Sequence, residues 1–188
     1  MKEMLFRRID QRTGGMNRAA LTGLTLFLLS CGLWGCGYRL EGMATSLPPE
    51  IQKIAIPTLR NRTLEARIEN IFTRALIREF NQDRRLRVVR EGEADCVLRG
   101  SIQSFSRSSV SYDEAGLVLE YRVEVTMEVG LHRSDTDEVL WQASSMREFE
   151  SYRADSDVLV NEARKDEAIE EVARELAETI HDRIMDRF

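Results

Sequence analysis

The most regular pattern in the chain is an alternation of apolar and polar residues over positions 117–131. Leu117, Leu119, Tyr121, Val123, Val125, Met127, Val129 and Leu131 take the odd positions, and Glu120, Arg122, Glu124, Thr126, Glu128 and Gly130 lie between them. A period of two held this long predicts a strand packed on one face and wet on the other. Residues 112–116 read as the turn leading into it, with Gly116 able to take positive φ. Residues 134–137 read as the next turn, and 139–149 as the partnering strand. Shorter strands are predicted over 53–57, 86–89 and 97–105, and the serine-rich stretch 104–111 begins the outward arm of a hairpin. Gly100 inside a strand points to a bulge or a close backbone approach.

Two stretches step by three and four instead. Leu64, Ile68, Ile71, Phe72, Ala75, Leu76 and Phe80 predict an amphipathic helix over 64–80, with Thr63 or Asn61 as its N-cap. Ile169, Val172, Ala173, Leu176, Ile180 and Ile184 predict a second helix over 166–188. Strand, helix, three or four strands, helix is the order of an α/β (α+β) two-layer sandwich. It calls for one mixed, mostly antiparallel sheet with two helices packed on one face.

The first 35 residues follow another logic. Lys2, Arg7, Arg8, Arg12 and Arg18 precede an apolar run from 19 to 29, the order of a secretory signal peptide. The run is short for the roughly 20 residues that a membrane span needs. Leu33-Trp34-Gly35-Cys36 resembles a bacterial lipobox, although Trp34 stands where a small residue is usual. Leu28-Leu29-Ser30-Cys31 also fits, so Cys36 and Cys31 are both candidate lipidation sites. Translation could begin at Met1 or at Met16. The expected organisation is a leader over 1–35, a lipidated tether over 36–50 ending in Pro48-Pro49, and one domain over 51–188. The covalent lipid would be an S-diacylglycerol and an N-acyl chain on Cys36, since several chains hold a protein stably at a membrane. Gly37 is not the aspartate that often retains lipoproteins at the inner membrane. The expected address is therefore the inner, periplasmic leaflet of the outer membrane.

Cleavage before Cys36 changes the charge. The remaining residues carry 22 basic and 30 acidic side chains, a net charge of −8. That balance argues against nucleic acid as a partner, because phosphate binding needs a basic footprint. Cys96 would be the one thiol besides Cys36 and reads as a packed hydrophobe rather than a nucleophile. His132, in an expected turn, and His181, on the last helix, have no ligand at metal spacing, so no metal site is expected. The acidic pairs Asp135/Asp137 and Glu170/Glu171 fall on a turn and a helical surface, not in a dry cleft. With no phosphate loop or nucleophile elbow, neither catalysis nor a cofactor is expected.

Cys36-Gly37-Tyr38-Arg39-Leu40, then Gly42 and Leu47-Pro48, resembles the mature start of the lipopolysaccharide-assembly lipoproteins, the LptE family. The likeness continues through Ile54-Ala55-Ile56-Pro57, Asn61, Ala94-Asp95 with Leu98 and Gly100, Glu120-Tyr121-Arg122-Val123, Val139-Leu140-Trp141, Tyr152 and the closing helix. The resemblance implies two helices on a mixed four-stranded sheet, seated as a plug in the large outer-membrane β-barrel LptD. It further implies help with assembly of that barrel, a place in the translocon that inserts lipopolysaccharide, and contact with lipopolysaccharide itself. Better-known members carry a basic residue near the hairpin tip, whereas this chain has Asp113 and Glu114. Candidate contacts with barrel or lipopolysaccharide are therefore Arg107, Tyr112, Glu120, Arg122 and Arg147, since guanidinium suits bidentate phosphate contact. The alternatives are a lipoprotein of another envelope machine, of the curli-secretion or flagellar kind, and a periplasmic hydrolase using His132 or His181. The family start favours Cys36 over Cys31. Intact-mass and N-terminal peptide spectrometry of the membrane-extracted protein should find acylated Cys36 as its first residue; an unacylated chain retaining residues 1–35 would sink the expectation.

Overall fold

The alternating segment becomes the central strand of the long half of a mixed sheet. The computed structural model describes residue 48 and residues 50–187. The expected leader, Cys31, Cys36 and nearly all of the tether lie outside the described residues. Those described run as β1 (Lys53–Ala55), β2 (Arg60–Asn61), α1 (Ile68–Asp83), β3 (Arg87–Val88), a 3-10 turn (Glu91–Glu93), β4 (Cys96–Tyr112), β5 (Val118–Arg133), β6 (Val139–Arg153) and α2 (Val158–Arg187).

The sheet order is β3-β1-β4-β5-β6, with β2 also pairing β4. β1 is parallel to both β3 and β4, and β2 is parallel to β4. β4, β5 and β6 form an antiparallel meander, so the sheet is mixed and mostly antiparallel. It has six strands, two more than the four the resemblance implied, because two-residue pieces join at its parallel end.

Both helices pack on one face, against each other and against the sheet. Val123, Val125, Met127, Val129 and Leu131 of β5 are buried there, beside Leu98 and Ile102 of β4 and Trp141 and Met146 of β6. Phe72, Leu76 and Phe80 of α1 and Ile169, Leu176 and Ile180 of α2 close the core from above. His181 is buried between the helices: its Nε2 lies 2.6 Å from Asp83 Oδ2, and its ring stands edge-on to Phe80 at 5.2 Å.

Boundaries differ from expectation where local chemistry competes with periodicity. α1 begins at Ile68, not 64; Arg67 just before it is left-handed at φ 61°, and Leu64 is fully exposed. Asn61 does not cap the helix. Its Oδ1 accepts the Thr63 N–H at 2.8 Å, and its Nδ2 donates to Glu65 O and Glu69 Oε2, which builds a loop instead. Thr63 Oγ1 likewise serves the Glu65 N–H, not a helical amide. α2 begins eight residues before the expected 166, started by Asp157 Oδ1 accepting the Leu159 N–H at 2.8 Å. Its first two turns bury no apolar stripe, so the three-and-four period could not reveal them. His132 lies in β5 and not in a turn.

The turns behave as their residues dictate. Gly116 takes φ 82°, and Asp113 Oδ1 accepts the N–H groups of Ala115 and Leu117. Gly100 marks a close approach: a Cβ there would lie 2.7 Å from Glu128 O and 3.2 Å from Leu59 Cδ2. Gly100→Ala should therefore destabilise the protein by about 1–3 kcal/mol through overpacking. Gly92→Ala, where an added Cβ meets nothing within 4 Å, should stay within about 0.5 kcal/mol. Urea denaturation of both variants checks this, and equal midpoints would refute the close-packing reading.

Candidate functional site

β4, β5 and β6 run on past α1, and the residues singled out from the sequence fall along this extension. A 17-residue strand spans about 55 Å, whereas the 16-residue α1 spans about 24 Å. The far end of the meander is thus uncovered by α1. There Leu117 and Leu119, predicted to face the core, are exposed, together with Val110 and Tyr112 of β4 and Val158 and Leu159 of α2.

The open face of the meander carries Arg122 and Arg147. The Arg122 guanidinium stacks over the Phe149 ring at 4.4 Å, and its Nε donates to Ser151 Oγ at 3.4 Å. Arg147 Nε lies 3.6 Å from Glu124 Oε1 and its side chain is 64 % exposed. Glu120 is half-buried opposite Arg153 in the β5–β6 register. Tyr112 ends β4 and is 58 % exposed. Glu124 and Phe149 stand opposite each other in register, which makes one mixed aromatic, cationic and anionic surface. Such pairs at exposed sites contribute little stability, so the surface is free to exchange them for a partner's groups.

Arg107 does not join them. It pairs with Val123 in register and so points to the helix side. Its guanidinium lies over the Tyr121 ring at 4.3 Å and 5.6 Å from the Tyr152 ring centroid. Its Nη1 donates to Glu162 Oε1 of α2 at 2.8 Å. Lys165 Nζ completes the group, 2.9 Å from Glu65 Oε1 and 3.0 Å from Glu162 Oε2. Sequence reasoning missed this latch between α2, β4 and the loop before α1. Glu65 and Lys165 are 100 positions apart, and no local pattern carries a contact of that span. Hydrogen bonds from Lys165 and Arg107 hold the Glu162 carboxyl below its usual range. Burial pulls the Lys165 ammonium down, but hydrogen bonds to Glu65 and Glu162 outweigh it and leave it raised. Burial pushes the Tyr152 phenol up, and its hydroxyl has no protein partner among the described residues.

The groups that could do chemistry are apart. Burial first, then the Asp95 charge, push the Cys96 thiol up to about 12, so it stays protonated. His132 is on the open face near the end of β5, while His181 is buried between the helices. Among the described residues, no cluster of three His, Cys, Asp or Glu side chains could hold a metal, and no helix is long and apolar enough to cross a membrane.

Comparison with known proteins adds what the geometry lacks. The profile of the LptE lipopolysaccharide-assembly family matches residues 51–184. The chain belongs to the LptE family. The match runs from just before β1 into the last turns of α2. Among solved structures, a Caulobacter crescentus protein superposes with a TM-score of 0.51 at 15 % identity, covering 68 % of this chain and 88 % of that one. Lipoprotein B of Nitrosomonas europaea gives 0.51 at 14 % identity, covering 76 % and 91 %. Rare lipoprotein B of Shewanella oneidensis gives 0.45 at 21 % identity, covering 72 % and 92 %. The first two share the fold. A search of curated proteins gives no match.

The latch has a pH consequence. A carboxyl lowered in the folded state stabilises above its unfolded value, and that contribution is lost as pH falls through the folded one. Amides over 158–165 should therefore lose hydrogen-exchange protection, corrected for intrinsic rate, as pH falls below the ordinary carboxyl value of 4.5. Glu162→Gln should already show the looser first turns of α2 at neutral pH. Protection independent of pH in both proteins would exclude the latch.

Proposed function

We propose that this LptE-family chain is the lipid-anchored partner of the LptD β-barrel in the lipopolysaccharide translocon. It acts there as plug and assembly partner and performs no catalysis. The observation carrying this reading is the family match over residues 51–184, joined to a meander that runs beyond α1 with one face open and polar. A plug must meet the polar lumen of a large barrel with polar side chains, on a body stiff enough to hold them in place. Arg122, Glu124 and Arg147 suit that lumen, with Glu120 and Tyr112 toward the tip.

Contact with lipopolysaccharide belongs to the same proposal. Arg122 and Arg147 are guanidinium groups on the open meander face that could meet its phosphates. The tip itself carries Asp113 and Glu114 and repels them. Acyl chains on Cys36 would hold the body at the inner leaflet of the outer membrane, with no nucleic acid, metal or cofactor in the role.

Detergent extraction of the full chain should bring a large outer-membrane β-barrel protein with it. Charge reversal at both Arg122 and Arg147 should lower that recovery, and depletion of the chain should reduce labelled lipopolysaccharide at the cell surface. Unchanged surface lipopolysaccharide, or recovery of a secretion-ring or peptidoglycan-bound partner alone, would overturn the proposal.

A further inference from the structure

The sheet has two edges, and they differ. β3 is a two-residue strand packed against α1, whereas β6 runs for 15 residues with no described strand beyond it. In the β5–β6 ladder Val123 pairs with Glu150 and Val125 with Glu148, and the Ala154 N–H donates to Leu119 O at 2.9 Å. The bonded positions of this part of β6 are therefore the even ones, and the backbone groups of Arg147, Phe149, Ser151 and Arg153 turn outward. Phe149 shows it directly: its N–H donates to Glu148 Oε1 at 3.1 Å, not to β5. Arg153 O accepts from Arg164 Nη1 at 2.9 Å, which closes the edge at that end. At the other end a register shift between Met127 and Val129, with an extra residue on β6, interrupts the strand. Residues 146–153 thus form a regular free edge, long enough to seat a strand of about five or six residues.

Side chains decide what such an edge accepts. Glu148 and Glu150 point to the helix side, opposite the buried Val125 and Val123. Both act on Glu175 of α2, whose carboxyl is pushed up by burial first and then by the charges of Glu148, Glu171 and Glu150. The nearby cation, Arg174, is already committed to Glu171 and Glu178. Inward-pointing charge on an edge strand obstructs pairing with an ordinary strand. It obstructs a second copy as well, because antiparallel pairing about Phe149 would set each copy's Glu148 against the other's Glu150. On the open side of the same edge stand Arg147, Phe149 and Arg153.

We propose that β6 accepts an extended, basic peptide segment of a partner protein as an added strand. The backbone of residues 146–153 supplies the hydrogen bonds and fixes the register, and Glu148 and Glu150 select lysine or arginine at every second position. An apolar strand would desolvate the two carboxylates without pairing them, and an acidic strand would be repelled, so specificity comes largely from what is excluded. Glu148 holds the Phe149 N–H where a neighbouring strand would place a carbonyl. On docking it gives up that amide and turns to the incoming cation. The net charge of −8 over residues 36–188 draws the same class of partner. This edge works through its backbone and its helix-side carboxylates, not through the open face proposed for the barrel, so either reading can stand without the other.

Fluorescence anisotropy and residue-resolved hydrogen exchange on the detergent-solubilised full chain test the proposal. The probe is a labelled peptide, Thr-Lys-Val-Lys-Val-Lys-Val-Lys-Thr, beside its counterpart with glutamate for lysine and a version with its amides N-methylated. The lysine peptide should saturate one site, the glutamate peptide should not bind, and N-methylation should weaken the lysine peptide about tenfold or more. Bound peptide should raise the protection of the Arg147, Phe149 and Ser151 amides, while those of Glu148 and Glu150, already bonded to β5, stay as they are. Glu148→Gln together with Glu150→Gln should weaken binding about tenfold, the loss of two partly exposed charge pairs. Glu170→Gln, an equal charge change on the α1 side of α2, should leave it unchanged. Absence of saturable binding, equal binding of the N-methylated peptide, or a dimer that protects the three outward amides without peptide would overturn the proposal.

Discussion

Everything in this molecule depends on burying a single face of one sheet. Side chains along a strand alternate with a period of two, so a slip of one residue in β5 would send Glu124, Thr126 and Glu128 into the core and Val125 and Met127 into water. An unpaired buried carboxylate costs far more than any misaligned ladder could return. That penalty sets the β4–β5–β6 register, and the register sets which residues share the open face. Arg122, Glu124, Arg147 and Phe149 form one surface because their neighbours one position away are committed to the core side.

Helix length then divides the sheet into a covered and an uncovered part. α1 matches only the parallel end, where β1, β2 and β3 add width. α2 reaches further, and its first turns lie over the meander without an apolar stripe. They are held by ions instead, through Arg107, Glu162, Lys165 and Glu65. Partly exposed ion pairs are weak fastenings compared with buried apolar contacts. The distal end of the described residues is therefore held more weakly than the apolar core and exposes more large apolar side chains, and a partner surface there would supply what the core does not reach.

The same economy explains why the chain shows so little chemistry. Among the described residues, the Cys96 thiol is protonated and buried, His181 is spent joining the helices, and the acidic residues face arginines or water. What remains are surfaces: a charged meander face at one end and an arginine-walled groove at the other. Both lie on the side of the sheet that neither described helix covers. Membership of a lipopolysaccharide-assembly family agrees with a protein that works through surfaces.

The alternation in 117–131 and the stripes in the two helices were enough to determine the layer arrangement, because those periods are imposed by backbone geometry and read locally. The hairpin turn at Gly116 and the tight spot at Gly100 were legible for the same reason, each being a demand of one residue on its own backbone. Helix starts were not: Leu64 has the right spacing, but Asn61 turned the chain into a loop and left it in water. The separation of Arg107 from Arg122 and Arg147 was equally hidden. Parity along β4 is shifted by an irregularity between Ile102 and Ser104, so only the folded register decides which face a side chain on the far half of that strand takes. The groove around Arg60, Arg62 and Arg99 needed β2 to dock against β4, a pairing of two residues that has no signature in the chain. Local periods are properties of the sequence; convergence of distant charges is a property of strand order and register, and these exist only once the sheet has formed.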